Sequence, residues 1–110
     1  MMNTRNYELN YTIGYITEKD GGISIDRQGR KPSTGFMVGV RGCSSVREMT
    51  AMDLRANEYY GTWKDEEDGG KVYYDISENI QDKEEALRIA KERGELAIFD
   101  LETFESIYIA

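Results

Sequence analysis

Residues 59–109 read YYGTWKDEEDGGKVYYDISENIQDKEEALRIAKERGELAIFDLETFESIYI. The order is hairpin, helix, hairpin. Tyr59–Lys64 and Lys71–Ser77 are runs rich in aromatic and β-branched residues, separated by Asp65-Glu66-Glu67-Asp68-Gly69-Gly70. In the second run Val72, Tyr74 and Ile76 alternate with Tyr73 and Asp75, the period of two that a strand requires, and the glycine pair supplies the turn. Asp82 followed three positions on by Glu85 makes a capping box ahead of the apolar stripe Ala86, Leu87, Ile89 and Ala90. Lys91 and Arg93 oppose the dipole at the far end, and Gly94 suits the residue just past it, so the spacing predicts a helix over 83–93. Leu96–Leu101 and Ser106–Ile109 then form a closing pair of strands.

Upstream, Tyr7, Leu9, Tyr11, Ile13 and Tyr15 alternate with Glu8, Asn10, Thr12 and Gly14, which predicts a strand over 7–17 turning at Asp20-Gly21-Gly22. A short strand follows at 22–26. Residues 27–34 hold the only proline, Pro32, and read as a loop. Gly35–Arg41 is apolar on both faces, which suits a central strand, and its glycines signal a bulge or the close approach of another backbone. Met49, Met52, Ala56 and Tyr59 recur at helical spacing, and Thr50 offers an N-cap, so a second helix is expected over about 50–58. The fold class is α+β: a mainly antiparallel sheet of about six or seven strands with the two helices packed on it, in a single domain spanning 1–110.

Composition limits the chemistry. The chain of 110 residues has no histidine and one cysteine, Cys43. The commonest general base, the usual catalytic triads and most transition-metal sites are therefore missing, and a disulfide framework cannot form. One cysteine, no export-signal pattern and no long apolar run together predict a cytoplasmic protein that does not enter a membrane. Gly35–Gly39 lacks the lysine of a phosphate loop. Asp65–Asp68 lacks the alternating ligands of a calcium loop and reads as a solvated acidic turn. Asp75 and Asp100 lie in similar strand contexts; adjacent, they would make a carboxylate pair, whereas separately each belongs on a solvent face or against a loop. Cys43 has no histidine to activate it. No enzyme, cofactor or metal is predicted.

Charge is unevenly spread. Residues 1–56 carry eight cations and six acids, residues 57–110 six cations and fifteen acids, for a net charge of −7. The acidic half repels nucleic acid and attracts basic protein surfaces. Arg27, Arg30, Lys31, Arg41 and Arg47 form the one basic cluster, suited to a phosphate, an acidic surface or balance of the acidic half. The eight tyrosines suit core edges and cross-strand pairs; an exposed excess beside Trp63 would mark an interface.

The segments GGISID, KPSTGFMVGV, GTWKDEE, GKVYYDIS, the capped helix and ELAIFDLETFESIYI resemble small uncharacterised proteins of phages and mobile elements of Gram-positive bacteria. The likeness runs from about Gly22 onward and lies in structural residues. Genes of this size in such elements often encode inhibitors of host defence, including anti-CRISPR and anti-restriction proteins, several of them acidic and acting by occupying a nucleic-acid groove. No motif matches a characterised inhibitor residue by residue, so no functional residue carries over. The resemblance and the charge together predict a non-enzymatic acidic interaction protein that blocks a basic, nucleic-acid-binding surface of a host defence nuclease, without touching nucleic acid itself. The expected contact residues are Trp63, Asp65, Glu66, Glu67 and Asp68, with Arg27, Arg30 and Lys31. The alternative is a small-ligand or nucleotide binder using loop 27–31 and tyrosines. A third reading is a homodimer joined through strand edges.

Overall fold

The computed structural model describes residues 4–109. Three helices pack on one face of a six-stranded antiparallel sheet. The elements are α1 (Thr4–Asp20), β1 (Gly22–Ile25), β2 (Phe36–Cys43), α2 (Val46–Thr50), β3 (Glu58–Asp65), β4 (Lys71–Ile80), α3 (Lys83–Glu92), β5 (Ala97–Asp100) and β6 (Glu105–Tyr108). The strand order is β1-β3-β4-β2-β5-β6, so β1 and β6 form the edges. The α+β class, the β3–β4 hairpin, the glycine-interrupted inner strand and the capped helix all follow the sequence reading.

The first segment does not. Residues 4–20 are helix, not strand. Leu9, Ile13 and Thr17 are buried at i, i+4 and i+8, while Tyr7, Tyr11 and Tyr15 share the opposite, exposed face at the same spacing. A strand would have set all five apolar residues side by side; a helix turns alternate ones away by about 200°. Gly21, at φ 88°, ends the helix and donates to Thr17 O at 2.9 Å, so the Asp20-Gly21-Gly22 signal is a helix terminator, not a hairpin turn.

The second helix is also displaced, spanning 46–50 rather than 50–58. Ser45 is its N-cap, accepting from Glu48 N at 3.1 Å, and the Glu48 carboxylate accepts from Ser44 N at 2.8 Å. Thr50, expected to start the helix, closes it. It is 1% exposed, and its hydroxyl donates to Asn10 Oδ1 at 2.6 Å on α1. The chain then runs through turns to Asn57, at φ 66°, before β3.

Two apolar clusters lie under the helices. One gathers Leu9, Ile13, Ile25, Met49, Tyr60 and Ile76 beneath α1 and α2; the other gathers Val38, Ile80, Ala86, Ala90 and Ile98 beneath α3. Between them Arg93 donates to Glu78 Oε1 at 2.7 Å. Asp82 caps α3 by accepting from Glu85 N at 2.9 Å. At its far end Gly94 N donates to Lys91 O at 3.1 Å and Glu95 N to Ala90 O at 2.9 Å, the paired bonds of a Schellman motif with Gly94 at φ 73°. The register of β2 on β4 slips between Gly39 and Arg41: Gly39 pairs with Ser77, Arg41 with Ile76 and Gly42 with Asp75. This is the bulge that the strand glycines signalled.

Candidate functional site: the helix-free face of the sheet

Alternation along β4 sends Ile76 and Ile80 under the helices and Tyr73, Asp75 and Ser77 to the other face. No helix covers that face among the described residues. It forms an open groove of ≈ 970 Å³. Trp63 and Tyr73, directly paired across β3 and β4, stack with ring centroids 5.5 Å apart on one side, and Trp63 is 57% exposed. Phe99 and Phe104, 6.4 Å apart edge to face, stand on the other side. Both aromatic pairs line the groove.

The floor between them is built of glycine and carboxylate. Asp75 has Gly61 opposite it on β3 and Gly42 opposite it on β2. Its carboxylate lies across Gly61: a Cβ placed there would come within 2.5 Å of Asp75 Oδ1. The Ser77 hydroxyl donates to Asp75 Oδ2 at 3.2 Å. Glu95 arrives from the Schellman turn. β5 pairs with β2 only at Phe36 and Met37, and beyond that point the Glu95 carboxylate lies against Gly39, filling the space a side chain would need. Among the described residues, no ion pair includes Asp75 or Glu95. Burial pushes the Asp75 carboxyl up from its ordinary 3.8 to about 6, against the bond from Ser77, and the charge of Glu95 adds to the rise. Asp75 was singled out in the sequence, but its neighbour is Glu95, not Asp100. Asp100 instead caps the β5–β6 turn, accepting from Glu102 N at 2.9 Å.

The residues expected to make contacts are divided. Trp63 borders the groove. Asp65 accepts from Glu67 N at 3.0 Å and caps a single 3₁₀ turn, Glu66–Asp68, closed by Gly69 and Gly70 at φ 64° and 79°. Glu66, Glu67 and Asp68 are exposed at this tip, next along the hairpin from Trp63. Lys64 joins tip to helix, 2.7 Å from Glu18 Oε2 and 3.7 Å from Glu66 Oε1. No group of three acidic or cysteine side chains converges as a metal site among the described residues. Burial raises the Cys43 thiol, and Glu48 and Asp75 raise it further against Arg41, so the thiolate is disfavoured.

The basic cluster does not act as one surface. The Arg27 guanidinium turns inward. It donates to Asn6 Oδ1 at 2.5 Å, Thr50 O at 2.8 Å, Met52 O at 3.2 Å and Tyr60 Oη at 2.5 Å. It thus joins α1, the C-terminus of α2, the following loop and β3, and is a structural residue rather than a free contact. Arg30 pairs with Asp26 at 2.9 Å. Burial pushes the Asp26 carboxyl up, but bonds from Arg30 and Gln28 and the Arg30 charge outweigh it and hold it below its ordinary value. Lys31 is exposed and borders both the groove and a smaller polar cleft of ≈ 670 Å³, which Arg30, Arg55 and Tyr59 also line.

No family model, curated protein or solved structure matches this chain. The site therefore rests on its own geometry. Two parts of it escaped sequence reading. Glu95 carried a signal: a glycine at the residue after a helix fixes the direction of the residue that follows it. The glycine floor carried a partial one, because Gly39 and Gly61 fall inside the predicted strands, whereas Gly42 lies just past the predicted end at Arg41 and within the observed β2.

Proposed function

We infer that this protein is a non-enzymatic, acidic protein-binding module whose partner presents a basic surface. One observation carries the reading. A single helix-free face combines an exposed Trp–Tyr stack with two carboxylates that have no counter-ion among the described residues. An apolar and aromatic patch rimmed by unneutralised acid is the complement of a basic protein surface. Tyr73 makes the kind of cross-strand pair expected of the tyrosines and is itself exposed beside Trp63, which supports an interface there. Tyr7, Tyr11, Tyr15 and Tyr108 are exposed elsewhere rather than filling core edges. The acidic tip at 66–68 adds long-range attraction that speeds encounter.

The narrower form joins this surface to the resemblance with phage and mobile-element proteins. In it the partner is a nucleic-acid enzyme of host defence, the module occupies the partner's nucleic-acid groove, and the setting is the cytoplasm of a bacterial host. Affinity capture from Gram-positive lysate at low salt tests it. The expected result is a nuclease or other nucleic-acid enzyme whose DNA or RNA binding falls as the module is added. Recovery of no nucleic-acid protein overturns the narrower form.

The polar cleft favours one second reading, a small anionic ligand or nucleotide held by Arg30, Lys31 and Arg55 beside Tyr59. Thermal shift against a nucleotide panel separates the two: stabilisation that grows with ligand concentration selects the cleft.

A further inference from the structure

We propose that the helix-free groove is a receptor for an arginine side chain carried on an extended, basic segment of the partner, with Asp75 and Glu95 taking the guanidinium and Trp63 and Tyr73 stacking on it. The proposal rests on the protein-binding reading above and names its point of contact.

Four features of the site converge on this ligand. The first is charge. Asp75 lies over Gly61 and Glu95 over Gly39 on the same face, near enough for the charge of Glu95 to raise the Asp75 carboxyl. Of the cations nearby, Lys31 borders the groove but pairs with neither among the described residues, and Lys64 and Arg41 are committed elsewhere. Lys64 is held by Glu18 and Glu66. Lys71, on the same strand face, stands 4.9 Å over the ring of Tyr73, so this wall of the site already accepts a cation. Arg41 is displaced by the bulge to the helix side, within 3.4 Å of Met52 Sδ. Two like charges sharing a partly dry floor are relieved by an incoming cation.

The second is space. Gly61 and Gly42 flank Asp75, and no atom stands within 4 Å of where a Gly42 side chain would begin. The depression beside the carboxylate is thus lined by backbone on both neighbouring strands. The third is the wall. Tyr73 is two residues from Asp75 on β4, so the two side chains leave the same face about 7 Å apart. A planar cation bonded to Asp75 is then within stacking range of Tyr73 and, through the 5.5 Å stack, of Trp63.

The fourth is shape. Guanidinium is planar, presents a fork of donors to carboxylates and stacks on aromatic faces, whereas ammonium is a compact, strongly hydrated charge. A site pairing carboxylates with a flat aromatic wall selects the former. The open length of the groove, from Trp63 to Phe104, suits an extended segment and not a single free amino acid. The raised Asp75 carboxyl is the mark of a charge that the isolated fold leaves uncompensated.

Trp63 is the only tryptophan, so its fluorescence reports on the site directly. The full chain is titrated at pH 7.5 and low salt with an acetylated, amidated Gly-Arg-Gly-Arg-Gly peptide. The same peptide with citrulline, and then with lysine, in place of arginine serves as control, and amide NMR is read alongside. The expected result is a saturable Trp63 change with shifts at Gly42, Gly61 and Asp75. Affinity is expected to fall about tenfold or more with citrulline, Asp75→Asn or Glu95→Gln, and about threefold with lysine, as loss of a charged pair or of a planar fork implies. Melting curves show that each variant is folded. Equal binding of the citrulline or lysine peptide, unchanged binding by Asp75→Asn, or no saturable change overturns the proposal. Failure here, with a captured partner still held, removes the arginine receptor and leaves the protein-binding reading standing. Peptide binding with no partner recovered does the reverse.

Discussion

Tyr60 and Gly61 are consecutive in β3, and each is the neighbour of a charged group. Beneath Tyr60, on the helix side, lies Arg27; over Gly61, on the open side, lies Asp75. The fold treats the two charges in opposite ways. Arg27 has four oxygen acceptors drawn from four segments, and the Tyr60 hydroxyl that accepts from it donates on to Met52 O at 2.6 Å. Burial raises the Tyr60 phenol even so, against the pull of the guanidinium. Asp75 has one hydroxyl donor and an anion for a neighbour. One charge is satisfied from within, and removing it damages the fold. The other is left for something outside, and removing it relieves the fold. A sheet one residue thick thus separates structure from recognition.

The largest expected effect tests the satisfied side. Arg27→Ala removes the donor that ties Asn6, Thr50 O, Met52 O and the Tyr60 hydroxyl together. It leaves Met52 O only the Tyr60 hydroxyl and Thr50 O only a 3.4 Å bond from Asn6 Nδ2, and is expected to cost about 3 kcal/mol in urea denaturation. Loss of less than about 1 kcal/mol would erase the contrast between the two faces. Arg27→Lys keeps the charge but cannot span four acceptors, and about half of that loss is expected to remain.

Asp75→Asn comes next and has the opposite sign. A carboxyl whose folded pKa lies above its unfolded value binds more protons folded than unfolded. Its contribution to stability is therefore complete below about pH 4 and lost as pH rises through about 6. The intact chain is expected to lose stability across that window. Asp75→Asn is expected to flatten that stretch of the profile and to gain about 1–2 kcal/mol at pH 8. A variant less stable than the parent at pH 8 would make Asp75 a structural residue.

Trp63→Ser sharpens the same division. Only one cross-strand contact is lost, so about 0.5–1 kcal/mol of stability is expected to go, while capture of the partner falls far more. Smallest is the acidic tip. Neutralising Glu66, Glu67 and Asp68 to amides is expected to shift stability by less than about 0.5 kcal/mol, because exposed charges contribute little. Its mark is a slower association rate and a shallower salt dependence with the basic partner.

The sequence made the second half of the fold legible because local signals there agree with one another. Asp82 and Gly94 bracket a single apolar stripe, and Asp65–Gly70 separates two strands of matching pattern. Residues 7–17 failed for a geometric reason. Every second position in a row includes every fourth, so a helix carrying one buried and one exposed stripe mimics alternation. Exposed tyrosines in the second stripe made it look apolar throughout. In the site, Trp63 and the acidic tip could be read because they are local. Arg27 was misplaced because its acceptors come from segments up to 33 residues away along the chain. The partner of Asp75 was missed for the same reason, since Glu95 meets it only after α3 has returned the chain to the sheet.

The bulge in β2 decides more than strand curvature. Extending the register of Phe36–Gly39 unbroken would set Arg41, not Gly42, against Asp75. An intrastrand count of one residue therefore separates a sheet that quenches its own carboxylate from one that offers it. Gly42→Arg is the corresponding molecular edit: it places a guanidinium directly across from Asp75 on the open face, where nothing stands within 4 Å of the new side chain's start. It is expected to close an internal ion pair over the glycine floor and turn a receptor into a self-occupied surface.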